Sequence, residues 1–276
     1  MKINFIKNGE IIMETEAVLE NGFELSLGAG LEIALVIVGI MIALVALYSL
    51  GVSIWLMIKY IKYNKKENSA GLTGEEVARK ILDANDLKHI AVKTTGSLTF
   101  GNSYSHFFKK VRLRRFTRHE RSLTALGMGA QKASLAVLDK EGDPDMKKRI
   151  RLYPIVTFGP FAFIPMILVG ALLDYFVFNQ TGVATLVFAG IGLAFYAYAI
   201  VLSVLTLKTE KKAQEKAYSI LKRENLATES ELASLKELFH LYNVQYVNDI
   251  ILASLELIYF ALQILIAING GNSSKK

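Results

Sequence analysis

Apolar residues along this chain fall into four long runs, and charged residues are nearly absent from them. The runs are Leu31–Ile58, Leu152–Phe178, Val183–Leu207 and Val247–Ile268. A hydrocarbon core about 30 Å thick needs about 20 apolar helical residues to cross it, and each run is that long. A single span must satisfy its own backbone hydrogen bonds, so each run predicts a transmembrane helix rather than a strand. The expected architecture is therefore predominantly α-helical: a four-helix transmembrane bundle carrying a small helical cap with minor β structure.

Between the runs the pattern changes to short amphipathic stretches. Thr73-Gly74-Glu75-Glu76 reads as a capping box, in which the Thr hydroxyl and the Glu carboxylate satisfy each other's backbone N–H groups. Val77, Ile81 and Leu82 then follow at helical spacing, which predicts a helix over 74–85. His89–Lys93 and Val111–Leu113 read as short strands around a Gly/Ser-rich turn. A second helix is expected over Ser122–Lys140, broken by Gly142-Asp143-Pro144, with Gly127 and Gly129 admitting a close neighbour. Residues 210–223 should continue the third span. Thr228-Glu229-Ser230-Glu231 is a second capping box that starts a helix leading into the fourth. Pro154, Pro160 and Pro165 predict kinks in the second span.

Charge orients this frame. Of 32 Lys and Arg residues, 28 lie in segments 59–151 and 208–246, which an even number of crossings separates. Positive charge is retained on the cytoplasmic side. The expected organisation is an extracytoplasmic N-tail 1–30, span 31–58, cytoplasmic segment 59–151, a hairpin of two spans 152–207, cytoplasmic segment 208–246, span 247–268 and an extracytoplasmic tail 269–276. The turn at 179–182 then lies outside, and Glu10, Glu14, Glu16, Glu20 and Glu24 fit a translocated N-tail. Trp55, Tyr60 and Tyr63 stand where an interfacial aromatic belt is expected. The N-terminus lacks the pattern of a cleaved signal peptide, because its apolar run starts late, is too long and follows acidic residues. The chain has no cysteine, which excludes disulfides and Cys-ligated metal sites.

The stretch Gly71 to Asn85 resembles the opening of the soluble segment in bacterial membrane-bound neutral zinc metallopeptidases. The likeness continues at Leu98-Thr99, Val111–Leu113, Arg121-Ser122, Arg151–Pro154, Thr206-Leu207, Leu226–Leu232 and Tyr246-Val247, and the spans fall at matching places. Chemistry in that family rests on His-Glu-x-x-His, two zinc-binding histidines on one helix face with a glutamate as general base. The resemblance puts the motif at residues 131–135, where this chain has Gln131 and Leu135 for the histidines and Lys132 for the base. The family's further carboxylate aligns with Glu210, and its Asp neighbour with Lys212. An Asp-His-Tyr after Leu-Thr is replaced by Phe100-Gly101-Asn102. The resemblance so qualified implies a degenerate member: no catalytic residue or metal ligand is assigned, and zinc, the family's cofactor, is not expected. The expected role is a membrane binding or regulatory subunit in the bacterial plasma membrane, with both termini outside and a membrane protein as possible partner.

Two alternatives remain open at this level. A rebuilt zinc site would need at least three of Glu210, His89, His106 and His119 to converge. A channel or transporter would centre on Glu256, which shares a helix face with Asp249 and Gln263; the plainer reading is a carboxyl hydrogen-bonded to Tyr196 or Ser203. Lys109, Lys110, Arg112, Arg114, Arg115, Arg118 and Arg121 make seven cations within 13 residues. They suit anionic lipid headgroups, or act only as a topology determinant. Nucleic acid is not expected, since no stacking platform accompanies them.

Overall fold

The computed structural model describes residues 10–95, 101–156, 163–178 and 182–273, with side chains from 27 to 269 except 96–100, 154–162 and 179–181. The elements are α1 (Glu10–Asn64), α2 (Gly74–Ala84), β1 (Ala91–Thr94), β2 (Ser103–Ser105), β3 (Lys110–Leu113), α3 (Arg115–His119), α4 (Leu123–Glu141), α5 (Pro144–Val156), α6 (Phe163–Leu173), α7 (Val183–Arg223) and α8 (Glu229–Ser273). A π-helical turn, Asp174–Phe178, extends α6.

Three helices are long and apolar enough to cross a membrane: Leu27–Asn64, Val183–Arg223 and Glu229–Asn269. The second apolar run gives a shorter apolar helix, Phe163–Phe178. Residues 157–162, with Pro160, lie outside the described residues, and Pro165 sits in the first turn of α6, where proline is tolerated. Side chains such as Ile37, Leu44, Leu47, Ile164, Leu168 and Val187 point outward, each more than half exposed. That surface suits lipid and would be costly in water. The N-tail differs from a plain tail: α1 begins at Glu10 and runs unbroken into the first apolar run.

A helix rises 1.5 Å per residue, so the 41 residues of α7 reach about 60 Å, twice the hydrocarbon thickness. The polar halves of α7 and α8 therefore extend beyond the apolar zone, and the cap is built on them. At its centre lies α4, with every residue from Leu123 to Leu138 buried. Ser122 caps its start by accepting from Ala125 N–H at 3.1 Å, and Gly142, in the left-handed region at φ 71°, ends it. Gly127 lies against Leu235 of α8 and Gly129 against the Gly74 backbone of α2, so the two glycines do admit close neighbours. The Thr73 capping box is present on α2. At the second box Thr228 N–H donates to Glu231 at 2.8 Å, and Glu231 also accepts from Ser69 N–H at 2.8 Å, tying the linker after α1 to α8.

The sheet has one strand more than expected. β1 and β3 pair in parallel, Val92 opposite Val111, and β2 adds an antiparallel edge, Tyr104 opposite Val111. A three-residue strand of Ser, Tyr and Ser carries little periodic signal, because alternation needs more positions to register.

Candidate functional site

The cap and the polar ends of the long helices enclose a cavity of about 360 Å³, lined among others by Tyr60 of α1, Met128, Gln131 and Lys132 of α4, Arg149 of α5, Glu210 of α7 and Tyr246 of α8. Its floor is an ion pair. Lys132 Nζ lies 2.7 Å from Glu210 Oε2, and Gln131 Nε2 donates to the same oxygen at 2.9 Å. Arg149 Nη1 stands 3.6 Å from Glu210 Oε1 and donates to Thr209 at 2.7 Å. The Lys132 and Glu210 side chains are only 10% and 14% exposed, so the contact is a buried one. Successive residues 131 and 132 both reach Glu210 because α7 crosses α4 at this turn. Leu135, one turn on, is wholly buried in the core and does not line the cavity.

Burial pushes the Glu210 carboxyl up, but Lys132 and then Arg149 outweigh it and hold it below its ordinary 4.5. A depressed carboxylate stabilises the fold above its unfolded pKa, and that contribution is lost as pH falls through the folded value. Thermal unfolding followed from about pH 6 to about pH 3 should therefore show an acid limb. The limb should shrink in the double variant K132M/E210Q; an unchanged limb would remove Glu210 from its causes.

The structure divides the basic run. Arg118 is committed to Glu75 through bonds of 2.8 and 2.6 Å. Lys110 and Arg112 sit over the Phe108 ring at 4.6 and 5.4 Å. Arg114 lines the cavity, Lys109 lines a separate depression with His89, His106 and Asp139, and Arg115 and Arg121 are exposed. His106 Nδ1 is 2.6 Å from Asp139, and His119 is exposed at the end of α3. Glu210 and the three histidines therefore do not converge. Lys212 bridges Asp143 and Asp145 at 2.6 and 2.8 Å, fastening α7 to the start of α5. Phe100 lies outside the described residues, while Asn102 accepts from Arg114 N–H at 2.7 Å.

Within the bundle Tyr196 donates to Glu256 at 2.5 Å, the plainer of the two sequence readings. Asp249 accepts from Gln245 at 2.9 Å, and Gln245 joins Ser49 and Ser53 of α1 at 2.9 and 3.0 Å. The two carboxylates thus have partners on different helices, and Gln263 is exposed. Sequence reasoning passed over Asp174, which accepts from Ala184 N–H, Thr185 N–H and Thr185 Oγ1 at 2.7–2.9 Å and caps α7. An acidic residue inside an otherwise apolar run was the available signal.

The sequence model of the family described as "Putative neutral zinc metallopeptidase" matches residues 37–265, most of the chain and every element from α2 to α7. The chain belongs to this family. The metallopeptidase likeness extends to a Bacillus subtilis (strain 168) protein named "Putative membrane protease YugP". It is 27% identical over 227 residues, covering 80% of this chain and 94% of that one. No solved structure matches significantly. The side chains present do not fit the zinc implied by the metallopeptidase family. Among the described residues no three His, Cys, Asp or Glu side chains group to hold a metal ion. Glu210 presents its carboxylate to an ammonium, which occupies the place a dication would need.

Proposed function

We propose that this chain is a non-catalytic member of the metallopeptidase family, acting as a membrane binding or regulatory subunit. The observation that carries this reading is the Lys132–Glu210 pair. A zinc-bound water needs about three protein ligands, an open position and a base. At the positions aligned with the motif, an amide and an ammonium instead close on the one carboxylate, and neither accepts a proton as a carboxylate base does. The second apolar run, Leu152–Phe178, supplies a fourth crossing on this reading. The cap is then cytoplasmic, the termini are outside and the membrane is the bacterial plasma membrane. The distribution of Lys and Arg supports that orientation. Metal analysis of the purified protein is expected to find zinc well below one per chain. Stoichiometric zinc that disappears on Glu210→Ala would sink the proposal.

A further inference from the structure

The cavity carries more positive charge than its internal pair uses. Its lining holds three cationic side chains, Arg114, Lys132 and Arg149, and among the described residues one carboxylate, Glu210. Lys132 neutralises Glu210 at 2.7 Å. Arg149 is 15% exposed and spends one N–H on Thr209, leaving donors of its five-fold fork. Arg114 is exposed, and among the described residues no ion pair engages its guanidinium. Arg149 shares Glu210 with Lys132, standing 3.6 Å from its Oε1, and Arg114 meets no carboxylate among the described residues, so the lining keeps a net positive charge. Guanidinium forks bind phosphate in bidentate fashion.

The depth of the cavity adds a second argument. Tyr60, Leu207 and Tyr246 line it, and each stands at the cap-side end of an apolar run: 31–58, 183–207 and 247–268 respectively. On the topology proposed above, three spans reach the cytoplasmic interface at this cavity, the level at which lipid phosphates lie. Tyr60, Tyr242 and Tyr246 give it walls that are apolar with polar tips, as interfacial side chains are.

We propose that this cavity binds a phosphate-bearing ligand through Arg114 and Arg149. The inference deepens the binding role proposed above and rests on it for the depth of the site. Two sources share the chemistry, the headgroup of a membrane phospholipid and a soluble phosphate ester.

The test uses the full chain purified in mild detergent. Native mass spectrometry follows titration with phosphatidylglycerol, and calorimetry follows titration with inorganic phosphate. One phosphatidylglycerol per chain is expected, weakened about tenfold by Arg114→Gln and by a similar factor on Arg149→Gln. Arg115→Gln, an exposed cation outside the cavity, should change neither titration. Among the described residues the Arg114 side chain makes no hydrogen bond or ion pair, so R114Q keeps the test valid even if R149Q disturbs α7. Lipid binding without a phosphate response assigns the headgroup. Phosphate binding without lipid binding assigns a soluble ester. Binding of neither probe, or equal losses in R115Q and R114Q, overturns the proposal. Zinc analysis on the same sample separates this result from the non-catalytic reading, since stoichiometric zinc would remove that reading whatever the titrations show.

Discussion

Lys132→Met is expected to destabilise the cap by about 3 kcal/mol, measured as thermal unfolding in detergent at neutral pH. The size follows from what the variant leaves behind. Glu210 would remain in a buried site with Gln131 at 2.9 Å and Arg149 at 3.6 Å, and its nearest counter-charge would be gone. Removing one partner of a buried pair costs more than the pair contributes, because the survivor stays desolvated. K132M/E210Q should recover most of the loss, ending within about 1 kcal/mol of wild type, since it removes both charges while keeping similar volumes. A single variant as stable as the double would show that Lys132 is not the compensating charge. The comparison also bears on function, because it asks whether Lys132 and Glu210 are held by the fold or merely tolerated.

Gly129→Ala should cost about 3 kcal/mol, at the upper end for overpacking. A Cβ there would overlap the Gly74 carbonyl oxygen and stand 2.8 Å from Val77 Cγ1. The obstruction is backbone, which cannot rotate away, and Gly74 is itself pressed against the Thr117 and Ala125 carbonyls. Relief therefore requires α2 to move off α4, opening the core around Val77, Ala78 and Ile81. Gly51→Ala is the contrast: nothing lies within 4 Å of its added Cβ, and the ordinary helix preference for alanine should leave stability unchanged or slightly raised. Unfolding temperatures of the two variants, with hydrogen exchange across α2, would separate them. If both behave alike, the close packing of α2 on α4 does not govern cap stability.

Much of the helical frame was legible because its signals are local. A capping box joins residues three apart, as Thr73 with Glu76 and Thr228 with Glu231, and a span declares itself by a run of apolar residues. The family resemblance, counted from Arg121-Ser122, implies the place of the motif at residues 131–135. The third strand was hidden, because Ser103–Ser105 is too short to show alternation and is defined by pairing with β3.

Sequence alone therefore determined the helical membrane class and the capped starts of α2, α4 and α8, while α3 and α5 carried no such signal. Tertiary structure decided what Gln131, Lys132 and Glu210 do. Lys132 and Glu210 are 78 residues apart, and Arg118 and Glu75 are 43 apart. Nothing in local periodicity selects such partners; they meet because α7 crosses α4 and because α3 packs on α2. The same packing divides the seven-cation run: Arg118 is held in the fold, Arg112 lies over an aromatic ring and Arg114 faces the cavity. Charge along the chain shows how many cations there are. Which of them remain free for a ligand depends on distances that only the folded arrangement of helices sets.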